Sequence, residues 1–363
     1  MSLFSRRSLA AAAAVGVGIA TITGLGAIPA NAGTPPVHVI SDAYVGPLQF
    51  AVAGHSIFVA DSAQSALFKV GRAKAIAYGP ATNPNPQISG DLAGVAVADG
   101  SIAYTTSTGD HSDTRLTILH DGHKKVVSLS AFERKYNPDK RNHYGVLDAD
   151  ALSKQCTAEL NAGQVPISYK GQYDSHPYAV ASLGHGSWAV ADAGGNDILK
   201  VDPWGHVSVI AVLPVQPLKI TTAIATALQV PDCAGITYRF EPVPTDVEVG
   251  PHGKLYVTTL AGGPEGVPAL GARSSVYQVG WGWTHRIATG FNAATNLAIS
   301  PSGCIYVAEL GAGQISIVRN GGPKPFAPLF GVVGVEWANG HLYASTAPAV
   351  LTGSGAGTIV RFG

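Results

Sequence analysis

Charge is scarce in this chain. Asp, Glu, Lys and Arg make up only 13% of the 363 residues, and 23 acidic side chains balance 23 basic ones. No basic patch or basic helix stands out, so nucleic-acid binding has no electrostatic footing. Cysteine is nearly absent, with Cys156, Cys233 and Cys304 the whole set. An odd number in an exported chain leaves one pair and a spare thiol, or no pair. The histidines are scattered and show no zinc-ligand spacing. No nucleophile constellation is visible. Gly353-Ser354-Gly355-Ala356-Gly357 is a shifted, poor version of the nucleophile-elbow spacing and lacks a strand-turn-helix setting. Beyond residue 32 no apolar run is long enough to span a bilayer.

What the chain has instead is glycine (44), proline (24) and 46% hydrophobic residues in short runs. That mixture suits an all-β protein with many turns. The first 32 residues read as an export signal. Arg6 and Arg7 open it, Leu9 to Ile28 is uncharged, and Ala30-Asn31-Ala32 offers a cleavage site. A retained anchor is the competing account of the same run. Ser5-Arg6-Arg7-Ser8-Leu9 partly resembles a twin-arginine signal, and the Sec and twin-arginine routes both stay open. The expected organisation is therefore a signal peptide over 1–32 and one secreted domain over 33–363.

A repeat runs through that domain. Each copy is an apolar strand, a glycine-containing turn, and a second strand rich in Ile, Tyr, Val and Thr. The second strands begin at Ile57, Ile102, Trp188, Leu255, Ile305 and Leu342, spaced by 45, 86, 67, 50 and 37 residues. Propeller blades take about 40–50 residues, so the two long gaps are a blade plus an insertion. The expected fold is a six-bladed β-propeller of four-stranded antiparallel blades. A seventh blade hidden within 120–172 lacks the two-strand signature. The last blade stops after Thr358-Ile359-Val360-Arg361-Phe362, and Val37-His38-Val39-Ile40 stands alone at the mature start. The lone strand would complete the last blade and close the ring.

Side chains alternate along the innermost strands. Phe50, Val95, Val180, Val247, Leu297 and Val335 form a uniformly apolar column, expected between blades. The flanking column reads Gln49, Gly94, Ala179, Asp246, Asn296 and Gly334, and two residues on stand Glu248 and Glu336 among alanines. Small and polar side chains are what a narrow wet channel calls for. Oxygens of Asp246 and Asn296 converging on the axis would suit Ca²⁺. Acids merely solvated by channel water are the plainer account.

The second strands return to the same mouth at Asp61, Asp192 and Glu309. Asp192-Ala193-Gly194-Gly195-Asn196-Asp197 is the richest turn there, able to cap itself or to face a ligand. Two long connections, about 120–176 and 214–244, reach that mouth, with short helices expected within Phe132 to Asn142 and Leu147 to Asn161. Long loops often cover binding sites. Cys156 lies in one and Cys233 in the other, so a disulfide between neighbouring flaps is reasonable. Cys304 reads as a buried free thiol. His176 is the one histidine at the mouth and the acid–base candidate. The candidate ligand set is Gln49, His176, Asp192, Asn196, Asp246, Asn296 and Glu309.

Three stretches carry a family likeness: Asp174-Ser175-His176-Pro177-Tyr178, Ala191 to Asp202, and Val243 to Gly253. In these the chain resembles the ScyD/ScyE family, exported propellers related to NHL-repeat propellers. The likeness covers most of 45–363. It departs from the family at His176, where Asn is favoured, and at Asp246, where Gly or Ser is usual. It implies a six-bladed, TolB-like propeller outside the cytoplasm and no settled reaction. The functional expectation is a binding or accessory propeller that presents one face to a small molecule, glycan or protein. The alternatives are a cation-dependent propeller enzyme of lactonase or lyase type and a purely structural or protein-interaction propeller.

Overall fold

The computed structural model describes residues 35–80, 90–264 and 266–363. The expected export signal over 1–32 lies outside them. Six four-stranded antiparallel sheets surround one axis. From the axis outward, blade one is Pro47–Ala53, Ser56–Asp61, Ala66–Lys69 and Ala77–Tyr78, and blade two is Val95–Ala98, Ser101–Ser107, Thr114–His120 and His123–Ser128. Blade three is Pro177–Gly184, Ser187–Asp192, Asp197–Val201 and Val207–Val212. Blade four is Pro244–Val249, Leu255–Thr259, Ser274–Gly280 and Trp283–Phe291. Blade five is Ala294–Ile299, Ile305–Glu309, Gln314–Arg319 and Gly322–Pro328. Each inner strand packs on the next, and the sixth, Val332–Ala338, returns to the first.

Blade six takes its outer strand from the other end of the chain. Val37–Tyr44 pairs with Gly357–Phe362, with Val37 opposite Phe362 and Val39 opposite Val360. Backbone bonds between the two ends hold the ring shut, because an unpaired edge there would be left to solvent or to another chain.

The core is six seams rather than one centre. Phe50 of blade one sits with Tyr343 and Ile359 of blade six. Val95 sits with Phe58, Ala60 and Leu67 of blade one, and Val180 with Ala103 and Leu116 of blade two. Val247 sits with Ala191 and Ile198, Leu297 with Val276 and Ala288, and Val335 with Ala308 and Ile315. All six column residues are buried. At about 1.5–3 kcal/mol per large apolar side chain, these seams supply the cohesion between blades.

A seventh four-stranded sheet exists, built from both long connections. Its order is Ser168–Lys170, His143–Val146, Thr237–Phe240, Gln216–Lys219, and none of its strands enters the ring of inner strands. It forms a flap at the mouth side of blades three and four. The Asn142 amide donates to Leu213 O at 3.1 Å and the Gln216 amide to Tyr277 Oη at 2.8 Å. Helix Leu129–Tyr136 is capped by Ser128 and helix Lys154–Ala162 by Ser153. Cys156 and Cys233 form a disulfide across 77 residues of chain, joining the two connections. Cys304 is a free thiol, but it is half-buried rather than buried, because its sulfur lies at the strand start beside Ser302 and Arg319. No helix among the described residues is long and apolar enough to cross a membrane.

Candidate functional site

The structure divides the seven candidate residues into three settings. Gln49, Asp246 and Asn296 meet on the axis. Asp246 Oδ2 accepts the Leu297 amide of blade five at 2.9 Å, and Asn296 Oδ1 accepts the Val335 amide of blade six at 2.7 Å. The Asn296 amide donates to Gln49 Oε1 at 3.0 Å, and Gln49 donates to Thr245 O at 3.4 Å. The residues just before repeat the pattern: Thr245 Oγ1 donates to Ala294 O, and Thr295 Oγ1 to Val333 O. These are latches between successive blades. Gly94 belongs to the same column because the next blade's backbone is close. A Cβ there would meet Ala179 Cα at 3.0 Å and Tyr178 O at 3.1 Å. The small residues at this level answer to close strand packing, not to a wet bore.

Deeper along the axis, Glu248 and Glu336 keep partial solvent access although protein surrounds them. Burial pushes Asp246 up to about 7, while the Leu297 and Val247 amides and Gln49 favour its anion. Burial, with Asp246 nearby, pushes Glu336 up to about 8. Glu248 is raised by burial and by both neighbours. Three acids around one axis cannot all ionise cheaply.

Asp192 and Glu309 are loop clamps at the ends of second strands, as Asp61 is. Asp61 accepts the Val45 and Gly46 amides, Asp192 the His176 and Gly195 amides, and Glu309 the Asn292 amide. Each carboxylate ties the chain entering a blade to the turn leaving its second strand. Ser175 also donates to Asp192 Oδ2 at 2.6 Å, and Ser316 donates to Glu309.

His176 and Asn196 lie beneath the flap. His176 is 4% exposed. Its Nε2 is 2.9 Å from Asp91 Oδ2, and its ring stacks on His111 at 4.5 Å. His111 Nδ1 in turn lies 2.7 Å from Asp174. Burial alone would lower the His176 pKa, but the Asp91, Asp174 and Asp192 carboxylates together outweigh it and the net direction is up. Asn196 is a junction. Its amide donates to Asp139 Oδ2 and Glu241 Oε2, both at 3.2 Å, and its Oδ1 accepts the Val243 amide at 3.1 Å. Tyr144 donates to Asp139 and Tyr169 to Glu241, each at 2.9 Å.

Around this junction the flap and blade three gather buried acids, of which sequence reasoning singled out Asp197, in a turn able to face a ligand, and passed over Glu133 and Asp139. Burial pushes Glu133 up to about 9, with Asp192, Asp139 and Asp174 adding to it. Burial likewise raises Asp139 to about 7 and Asp197 well above the carboxylate range. Asp197 stood in the conspicuous turn. Glu133 and Asp139 carried no local signal, since an acid in an inserted segment reads as solvated.

An open cavity lies in the flap itself. About 660 Å³ is lined by His143, Val146, Leu147, Asp148, Ala149, Asp150, Ala151, Ser168 and Arg239. Arg239 Nη2 donates to Val146 O at 3.3 Å, while its buried Nε has no partner. The Arg239 guanidinium and the exposed carboxylates of Asp148 and Asp150 line the same cavity, so donors and acceptors both face it.

No known family model matches the sequence, and no curated protein does. Solved structures do share the fold. The PQQ-bound aldose sugar dehydrogenase of Streptomyces coelicolor is 13% identical with a TM-score of 0.54, over 90% of this chain and 99% of that one. A putative glucose dehydrogenase of Thermus thermophilus gives the same identity, coverage and TM-score. Virginiamycin B lyase of Staphylococcus aureus is 12% identical with a TM-score of 0.47, over 85% of this chain and 80% of that one. At such identity the likeness is one of fold, and the fold is a β-propeller.

Proposed function

We propose that this is an exported propeller of the ScyD/ScyE type acting as a binding or accessory protein, with its ligand held in the flap cavity. The observation that carries the reading is a contrast in exposure. The seven mouth and axis candidates are at most 5% exposed, whereas the open 660 Å³ cavity is lined by apolar and polar side chains together, the Arg239 guanidinium among them. Ligand pockets of this size take small molecules. Arg239 would receive a carboxylate, and Asp148 and Asp150 would accept from hydroxyls, which fits an acidic sugar or a similar polyhydroxy acid. The Cys156–Cys233 bond supports a location outside the cytoplasm, where disulfides persist.

Titration calorimetry with glucuronic acid, and glucose as the neutral control, tests this. The acid should bind and the neutral sugar should bind at least about tenfold more weakly, one charge-assisted bond being worth about 1.5–3 kcal/mol. Arg239→Gln should remove the preference. Equal binding of both sugars, or a preference that survives Arg239→Gln, would move the ligand elsewhere.

A further inference from the structure

The fold gathers scattered basic and aromatic residues at one end of the propeller. The second strand of each blade returns to the mouth, so the turns joining strands one to two and three to four lie at the other end. Asn339, in such a turn of blade six, donates to Gly54 O in that of blade one at 2.8 Å, so neighbouring turns share this end. Three exposed tryptophans stand there in blades three and four, Trp204, Trp281 and Trp283, at 77%, 62% and 47% exposure. Of the other two, Trp188 is buried and Trp337 half-buried. Six of the twelve histidines lie at this end of blades two to four: His120, His123, His185, His206, His252 and His285, all exposed. Lys124, Lys125, Lys200 and Lys254 add fixed positive charge, and Arg286 follows His285 on the outer strand of blade four. The acids at this end of the three blades are Asp99, Asp121 and Asp202, with Glu248 set back in the bore. Asp202 lies 2.9 Å from His206 Nδ1, and Asp121 3.4 Å from His120 Nε2. Among the described residues no ion pair involves His123, His185, His252, His285 or any of the four lysines.

These groups form one surface. Lys125 of blade two donates to Pro203 O, next to Trp204 in blade three. Lys200 of blade three lies over the Trp281 ring of blade four, 5.8 Å from its centroid, and the Gly282 amide donates to Ile210 O at 2.8 Å. Between these two blades a slot of about 210 Å³ is lined by Leu183, Ile210, Leu255 and Trp281, with Lys200 the one charged side chain among its walls. The contributing residues come from separate turns, so no basic run marks them in the sequence.

Tryptophan settles at the boundary between lipid headgroups and acyl chains. Each basic residue near an anionic membrane strengthens binding about fivefold. A plane of turn tips touches a flat bilayer at several points at once, and an apolar slot with one cation matches the acyl chain and phosphate of a lipid. Histidine as a residue type gains positive charge as pH falls from about 8 to about 5.

We propose that this face docks on an anionic phospholipid bilayer, more tightly in acid, with the flap cavity turned away from the membrane. The contact is peripheral and independent of the flap-cavity ligand.

Co-sedimentation of the full protein with vesicles tests it, using phosphatidylcholine alone and phosphatidylcholine with roughly one third phosphatidylglycerol. The anionic vesicles should bind the protein and shift its tryptophan emission to the blue, at least about tenfold more tightly near pH 5.5 than near pH 7.5. Neutral vesicles should leave it in the supernatant. Lys124→Glu together with Lys254→Glu should weaken binding at least about tenfold, whereas Lys154→Glu, on the flap, should not. His123→Gln with His185→Asn and His252→Asn should remove most of the pH response. Asn suits the left-handed backbone at His185 and His252, where φ is 52° and 63°. The proposal fails if neutral vesicles bind as well, if affinity is the same at both pH values, or if Lys154→Glu costs as much as the turn-face pair. It fails equally if the protein takes up a soluble acidic polysaccharide such as polygalacturonate and ignores the vesicles, which would make this a glycan surface.

Discussion

Asn296 and Gln49, 247 residues apart, join blade five to blade one through a 3.0 Å hydrogen bond from the Asn296 side-chain amide to Gln49 Oε1. The other side of Asn296 accepts the Val335 amide of blade six. One side chain thus links three blades in a place that water does not reach. An interior polar group so fully used is worth more as a fastener than as a ligand.

Asn296→Ala should therefore cost stability before anything else. It strands the Val335 N–H and the Gln49 side chain, and each buried orphan costs about 1–3 kcal/mol. Urea unfolding should show a stability lower by about 2–4 kcal/mol, with binding at the flap cavity intact. An unchanged midpoint would remove the latch interpretation.

Glu336 predicts a pH dependence. Burial lifts its folded pKa to about 8, against an ordinary 4.5. Between those values the folded protein holds a proton that the unfolded chain has released, so stability falls as pH rises through that window. Glu336→Gln removes the loss. The variant should match the parent near pH 5 and exceed it by about 1–2 kcal/mol above pH 8, discounted for water in the bore. Parallel melting curves at both pH values would contradict this.

The Cys156–Cys233 bond should protect the flap more than the ring. The double change to serine removes a crosslink worth about 2–4 kcal/mol, and its effect should be local, because flap and blades have separate apolar clusters. Limited proteolysis should cut first within 143–170 or 216–240 while the blades persist. Simultaneous loss of both would show that flap and ring unfold together.

Removal of Val37–Tyr44 should open the ring. The strand is mostly exposed apart from Tyr44, so its contribution is the backbone ladder to Gly357–Phe362 and the end of one seam. A lower Tm and concentration-dependent association through the bared edge are expected, read by melting and light scattering at several concentrations.

Much of the fold was legible because its code is local. A short apolar run such as Ile305-Tyr306-Val307-Ala308 and a turn such as Ser300-Pro301-Ser302-Gly303 speak through neighbours, whichever blade lies beside them. The candidate site was legible only in part. Asp246 and Asn296 were found as polar exceptions on the axis, but not that their partners are the Leu297 and Val335 amides.

The sequence by itself determined the blade repeat, the apolar column from Phe50 to Val335, and the closure of Thr358–Phe362 by Val37–Ile40. Period-two patterning and strand counting require no knowledge of distant contacts. The tertiary structure alone decided that two insertions make one sheet, that the mouth residues are fasteners, and that Asn196 from blade three donates to Asp139 and Glu241 from the two insertions. Those facts depend on which backbone approaches which side chain across the ring. Hydrogen bonds and buried charge act over a few ångströms in space, and chain order says little about that distance.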